Sequence, residues 1–398
     1  MAIILFFLSL FVSLPHIITK HTNVMNRQLL WMLAAMLVCC VGTKAQERSH
    51  KKTFKEKVMA FLDSSNVRKT DPAYIGLPQR PWRIIVSSGT DQMNMKLDVH
   101  DESDETQYLV RRTLDYSVRI KPPVATSVGL WAGYRGWGLG YSLSVTGNKD
   151  INMALNISTP SNGVNIRVRR FDFSKPERHL NVYENNELFF SYFEDEEMDK
   201  PMKVESFVFD GYWIFNKKRF SLAAAYDQST RQLRSAGSLI AGAMFYYQKL
   251  DYASKYNMYL INLTGNTGKI KLYQGSIGLG YTYNWVPAPN WVINGVCMPV
   301  VMLLNTGKLF KYKMVVPPGV NVIDVDEPWA ISQLVHTDDV TFGGRIGFNI
   351  DLRMSVSYWY RRWFFCLIGQ AHSFNATFSN SKLRMNEWDI KASVGFLL

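Results

Sequence analysis

Over residues 137–146, large apolar side chains fall on every second position. Trp137, Leu139, Tyr141, Leu143 and Val145 share one face, and Gly138, Gly140, Ser142, Ser144 and Thr146 share the other. Past the Gly147-Asn148-Lys149-Asp150 turn, Ile151, Met153, Leu155 and Ile157 alternate with Asn152, Ala154, Asn156 and Ser158. Val164, Ile166 and Val168 then alternate with Asn165, Arg167 and Arg169. Further on, Ile277, Leu279, Tyr281, Tyr283 and Trp285 oppose Ser276, Gly278, Gly280, Thr282 and Asn284. Phe342, Ile346, Phe348 and Ile350, with Gly344 in phase, oppose Gly343, Arg345, Gly347 and Asn349. At the end, Ile390, Ala392, Val394, Phe396 and Leu398 oppose Asp389, Lys391, Ser393, Gly395 and Leu397. A period of two is that of a β-strand, whose successive side chains point to opposite faces.

Alternation alone also describes a soluble sandwich with apolar side chains inward and polar ones outward. Three features select a membrane instead. The apolar phase is almost free of charge over stretches of about ten residues, the length a tilted spanning strand needs. The opposing phase is small and polar, as a solvated or hydrogen-bonded lumen requires. Aromatic residues collect toward strand ends, at Trp137, Trp213, Trp285, Trp291, Tyr358, Trp363 and Trp388, where amphipathic rings form girdles at headgroup depth. An open sheet edge in hydrocarbon would leave backbone groups unpaired, so the sheet must close. The predicted fold is all-β: a closed antiparallel transmembrane barrel over 81–398, with about twelve strands (range about ten to fourteen). The apolar phase of the last strand resembles the signal read by barrel insertion machinery, although Phe396 stands two residues short of the C-terminus.

The first eighty residues follow other rules. Residues 3–14 and 29–41 are apolar runs, each shorter than the roughly 20 residues of a spanning helix. The second run has a charged start at Met25-Asn26-Arg27 and a small-residue cleavage site at Thr43-Lys44-Ala45, which is the grammar of a secretory signal peptide. The expected division is an upstream extension over 1–24, a signal peptide over 25–45 cut after Ala45, and a periplasmic lead-in over 46–80. Within the lead-in, Phe54, Val58, Phe61 and Leu62 share one helical face and predict a short amphipathic helix. Pro72, Pro78 and Pro81 then keep the chain extended. A hairpin anchor or a lipoprotein anchor at Cys39 or Cys40 are the alternatives; Val38 stands where the latter needs a small residue.

Composition is consistent with this picture. The chain has 398 residues, is 47% hydrophobic and has a formal net charge of +12. Its mean hydropathy of −0.10 argues against a helical membrane protein but not against a barrel, whose two phases cancel. The basic residues are scattered without an aromatic-basic motif, so anionic lipid headgroups fit better than nucleic acid. Cleavage would leave only Cys297 and Cys366, which is no disulfide framework.

Candidate chemistry is sparse. Nucleophile-elbow, HExxH, phosphate-loop, CxxC and dinucleotide motifs are missing from the sequence, and no cofactor is expected. His372 and Ser373 resemble a histidine–serine pair, but neighbours on a strand point apart. Asp98, Asp101 and Asp104 lie in an acidic run that could offer oxygen ligands to Ca²⁺ or Mg²⁺, without the glycine and spacing of an EF-hand loop. The residues singled out are charges on the lumen phase: Arg167, Arg169, Asp210, Arg219, Arg345, Arg361, Asp389 and Lys391. In a filled barrel they would pair with one another. In a water-filled pore they would make a basic lining for anions.

Several stretches resemble the family called domain of unknown function 4421, predicted outer-membrane barrels of the Bacteroides group. They are Asp71-Pro72-Ala73-Tyr74-Ile75 with Leu77-Pro78 and Trp82; Gly133-Tyr134-Arg135-Gly136-Trp137-Gly138-Leu139; 215–242, including Arg234-Ser235-Ala236-Gly237-Ser238; and Gly280-Tyr281-Thr282-Tyr283-Asn284-Trp285 with Trp291. The resemblance implies a Gram-negative envelope location and a barrel, and no reaction. The implied partners are outer-membrane lipids, lipopolysaccharide, the barrel assembly machinery and periplasmic chaperones. The activity expected is that of a narrow, porin-like channel or a structural or assembly component. A lipid-modifying barrel enzyme and a secreted soluble β-protein are the alternatives.

Overall fold

The computed structural model describes residues 70–398, apart from 104–111, 147–149, 160–161, 185, 196, 199, 316–331, 344–345 and 378–380. The signal peptide, the upstream extension and the amphipathic helix expected over 54–62 lie outside the described residues.

In chain order the strands are β1 (Ile75–Gly76), β2 (Trp82–Ser103), β3 (Arg112–Lys121), β4 (Ala125–Tyr134), β5 (Trp137–Ser144), β6 (Asp150–Ser158), β7 (Asn162–Phe173), β8 (Glu177–Glu184), β9 (Glu187–Glu194) and β10 (Met202–Ile214). Then come helix α1 (Ala223–Tyr226), β11 (Arg231–Gln232), β12 (Ala236–Asp251), helix α2 (Met258–Leu263), β13 (Thr267–Trp285) and β14 (Trp291–Val315). The chain ends with β15 (Gln333–Gly343), β16 (Gly347–Tyr360), β17 (Trp363–Thr377) and β18 (Ser381–Leu397).

Twelve of these strands close into one antiparallel ring, in the order β2-β4-β5-β6-β7-β10-β12-β13-β14-β16-β17-β18. The ring shuts where β18 pairs with β2 from Ser381↔Val99 to Leu397↔Arg83. Both ends of the ring-forming chain, Trp82 and Leu398, meet at one rim, where the Leu398 amide donates to the Trp82 carbonyl. This terminal rim carries the tight turns at 135–136 and 361–362. At the opposite, distal rim the strands run on past the ring. β3, β8 and β9 extend from the far half of β2, and β15 pairs with the far half of β14. On β14, Thr306 pairs with Gly343 of β15 and Met302 with Gly347 of β16.

The apolar phase faces outward. Leu279 is 68% exposed and Phe348 is 78% exposed, and the outer faces of neighbouring strands carry Leu130, Val128, Leu239, Ile277, Met354 and Leu367. No soluble fold would leave such a continuous greasy surface open. On β13 the uncharged outer phase runs from Tyr273 to Trp285, about 28 Å of height for a strand tilted by about 45°. Aromatic rings mark both limits. Near the terminal rim stand Trp82, Trp213, Trp285, Trp291 and Trp363, all exposed, with Trp291 and Tyr358 at 4.8 Å. Toward the distal rim, Tyr247 and Tyr273 lie 5.0 Å apart and Phe207 and Phe245 6.4 Å apart. Trp388 is the exception to the strand-end rule, pairing with Gln92 and Ala371 well inside β18.

Candidate functional site: the occluded lumen

The polar phase faces inward and meets three fillings. Nearest the terminal rim, residues 215–235 fold into the barrel rather than bridging β10 and β12 around the outside. Phe220, Ser221, Ala224 and Ala225 on this segment are fully buried. Its anchor is Gln232, whose side-chain amide donates to the carbonyls of Arg219 at 2.6 Å and Arg234 at 2.9 Å. The Gln232 side-chain carbonyl accepts from the Ser221 amide at 3.0 Å and from Asn284 at 3.1 Å. Asn284 also donates to the Ser221 carbonyl at 2.8 Å, and Asn294 donates to Asn284 at 2.8 Å. Asn284 of β13, backed by Asn294 of β14, thus holds the plug. β11, within the plug, pairs with β1 just ahead of the barrel. Gln228 takes a left-handed backbone with φ of 55°. Its side-chain amide reaches the Ala225 carbonyl at 3.1 Å and Cys366 Sγ at 3.2 Å.

One charge pair fixes the plug to the wall. Arg83 on β2 meets Asp227 at 3.3 Å, with both side chains almost wholly buried. The Arg83 guanidinium also donates to the carbonyls of Asp227 and Arg135 and stands 5.0 Å from the Trp131 ring.

Above the plug, charges bridge the lumen. Arg353 on β16 reaches Asp210 on β10 at 2.7 Å and, along its own strand, Asp351 at 2.6 Å. Arg169 on β7 reaches Asp91 on β2 at 2.6 Å and Glu387 on β18 at 3.4 Å. Arg167 faces Asp389 on β18 at 3.9 Å. Apart from Arg353 and Asp351, the partners lie on strands that are not ring neighbours, so these bonds cross the barrel interior. A polar chamber of about 140 Å³ remains beside them, lined by Arg167, Arg169, Glu387, Asp389 and Lys391 among others.

At the distal rim the inner faces become apolar and pack together. Met95, Leu97, Val118, Ile120, Phe173, Met202, Leu250, Ile270, Leu272 and Leu383 form one buried cluster, closed over by Leu260 and Ile261 of α2. Thr264, at the end of α2, accepts from the Tyr252 hydroxyl at 2.9 Å.

Of the charges singled out in the sequence, Arg167, Arg169, Asp210, Asp389 and Lys391 lie on the inner phase of wall strands. Arg219 and Arg361 do not. Both lie exposed in turns of the terminal rim, where they stack on Tyr74 at 5.1 Å and Tyr360 at 5.5 Å. Arg345 lies outside the described residues. Arg83, Asp91, Asp351, Arg353 and Glu387 complete the network and escape the sequence reading, although Trp82-Arg83-Ile84 and Leu352-Arg353-Met354 write a charge between two outward apolar residues. Asp98 accepts from Ser117 at 2.8 Å and pairs with Lys96 at 3.0 Å and Arg384 at 3.4 Å. The Asp101 side chain and Asp104 lie outside the described part. Among the described residues no group of three or more His, Cys, Asp or Glu side chains could hold a metal ion. His372 faces inward, 3.7 Å from Asp351, and Ser373 takes the other phase of β17. Cys297 and Cys366 are free thiols, the first exposed and the second buried against the plug.

Together these features define a class: an outer-membrane-type antiparallel barrel whose interior is filled. The chain belongs to the family described as domain of unknown function DUF4421, whose model matches residues 88–397. No match is found among curated proteins. Among solved structures it is similar to the outer membrane protease OmpT from Escherichia coli, at 8% identity, covering 80% of this chain and 97% of that one, with a TM-score of 0.35. It is also similar to the translocator domain of autotransporter NalP from Neisseria meningitidis, at 10% identity, 86% and 94% coverage and a TM-score of 0.29. A third is the P. putida toluene transporter TodX, at 8% identity, 80% and 90% coverage and a TM-score of 0.28.

Proposed function

We propose that the mature chain, cut after Ala45, resides in the outer membrane of a Gram-negative envelope as a non-conducting structural or assembly component. Its terminal rim faces the periplasm and its distal extension faces outward. The rim assignment follows from the short turns on one side and the long extensions on the other, the usual asymmetry of such barrels. The barrel assembly machinery, periplasmic chaperones and envelope lipids are its partners in reaching that place.

The observation that carries this reading is the filled lumen. An open path for ions would have to pass the hydrogen-bonded plug, the cross-barrel ion pairs and the distal apolar cluster in turn. A selective channel needs a hydrated route lined by groups free to exchange with ions. Here Arg167, Arg169, Asp210 and Asp389 instead meet opposite charges on the far wall. Planar-bilayer recording on refolded protein tests it directly. The expected result is no current steps above those of protein-free bilayers in any salt gradient. Reproducible anion-selective steps would overturn the closed reading in favour of a narrow channel.

A further inference from the structure

The outer surface just beyond the distal aromatic ring carries an unusual row. Lys249 on β12 is directly paired with Lys271 on β13, and Lys271 is directly paired with Lys308 on β14. Three like charges thus stand side by side across three adjacent strands, an arrangement that destabilises a sheet. The next position outward adds Lys269, paired with Phe310. The Phe310 ring has three ammonium groups close by: Lys269 at 5.3 Å, Lys271 at 5.2 Å and Lys308 at 5.1 Å.

The carboxylates nearby pair with the outer members of the row and leave its centre without one. Glu205 serves Lys249 at 3.5 Å and Arg170 at 4.0 Å. Asp251 is shared by Lys249 at 3.7 Å and Lys269 at 3.5 Å. Asp339 pairs with Lys308, whose hydrogen bond holds the Asp339 carboxyl below its ordinary range. Lys271, at the centre, has cations on both sides and no carboxylate within ion-pair distance among the described residues. One position toward the membrane lie Tyr247 and Tyr273, paired across the same strands. The row therefore marks the level where hydrocarbon ends and headgroups begin.

We propose that the Lys249–Lys271–Lys308 row binds the phosphate of a phosphomonoester-bearing lipid in the distal leaflet. Its acyl chains would lie along the outer apolar faces of β12 and β13. A phosphomonoester brings close to two negative charges and three acceptor oxygens, enough to take the carboxylate-free Lys271 ammonium together with remaining N–H donors of Lys249 and Lys308, each of which also holds a carboxylate. Tyr273 and Tyr247 below it suit the ester boundary, where one end of a side chain is apolar and the other wet. The inference rests on the membrane reading of the outer belt.

The test uses the purified full chain in detergent. Native mass spectrometry counts bound lipid, and the unfolding temperature is read from the folded band on gels. Phosphatidic acid is the probe, with phosphatidylcholine and inorganic phosphate as comparators. Phosphatidic acid should bind and stabilise the protein, and phosphatidylcholine should not. Lys271→Gln should weaken phosphatidic acid binding about tenfold, the worth of one charge-assisted contact. Lys271→Arg should largely retain binding, and Lys313→Gln, farther along β14, should leave it unchanged. Equal binding of both lipids, or undiminished binding by a folded Lys271→Gln variant, would overturn the proposal. So would inorganic phosphate stabilising as well as the lipid, because the site would then read a free anion. Carbonate extraction of the wild-type protein without detergent would instead sink the membrane reading beneath it, a separate outcome.

Discussion

Arg83 and Asp227 meet at 3.3 Å with 1% and 4% of their side chains exposed, and they join two parts of the chain that the ring alone would not connect. Arg83 belongs to the wall and Asp227 to the inward segment. A buried pair is costly to form, and breaking it by removing one partner costs about 3–5 kcal/mol, because the other charge is left unmatched. Asp227→Ala should therefore lower the unfolding temperature of the folded band sharply. Replacing both, as Arg83→Met with Asp227→Leu, should recover much of the loss. A neutral Asp227→Ala would mean that the plug is held by its hydrogen bonds alone.

A second prediction concerns space at the terminal rim. Gly133 and Gly138 face each other across β4 and β5, and the Trp131 indole lies over both. A Cβ built at Gly138 would fall 1.6 Å from Trp131 Cζ2, and one at Gly133 would fall 2.0 Å from Cη2. Gly138→Ala should therefore destabilise by about 1–3 kcal/mol, the range of overpacking changes. Trp131→Leu should relieve Gly138→Ala. At Gly295 a Cβ would meet nothing within 4 Å, so alanine there should have little effect in the same assay.

The strand pattern is largely readable because a wall strand in lipid has one rule, apolar outside and anything compatible inside. Leu139, Leu279 and Phe348 obey it without exception. The inner face has several rules, and they depend on depth. On β14 the inner phase is Val292, Asn294, Val296, Met298 and Val300, so both phases look apolar in sequence. Asn294 becomes intelligible only once the plug is known to dock there. The plug itself, within 215–242, lies in one of the stretches that resemble the family, yet its inward course leaves no periodic mark. Nor can cross-barrel partners such as Asp210 and Arg353 be matched from sequence, since they are 143 residues apart.

The Asp210–Arg353–Asp351 group yields a third prediction. Arg353→Met would leave two carboxylates facing each other inside the wall. A loss of about 3–5 kcal/mol is expected, as for any buried charge stripped of its partner. Adding Asp210→Asn and Asp351→Asn should restore stability, since the amides are neutral and can still form hydrogen bonds. Conductance should remain absent in all of these variants, because the plug and the distal cluster are untouched. Current appearing in the single variant alone would show that this layer, and not the other two, seals the lumen.

The last prediction separates a membrane protein from a soluble one through a single position. Leu279 sits midway along the outer phase of β13, between Tyr273 and Trp285, and is 68% exposed. On a soluble protein, arginine at so open a site would be tolerated, within about 0.5 kcal/mol. At the middle of a bilayer it costs about 2–4 kcal/mol. Leu279→Arg should therefore impair refolding into lipid vesicles, measured as the fraction of folded band at increasing urea. A matching apolar-to-arginine change beyond the girdle, Val315→Arg at the far end of β14, should be silent in that measurement. If Leu279→Arg refolds as readily as the wild type, the outer surface is not facing acyl chains.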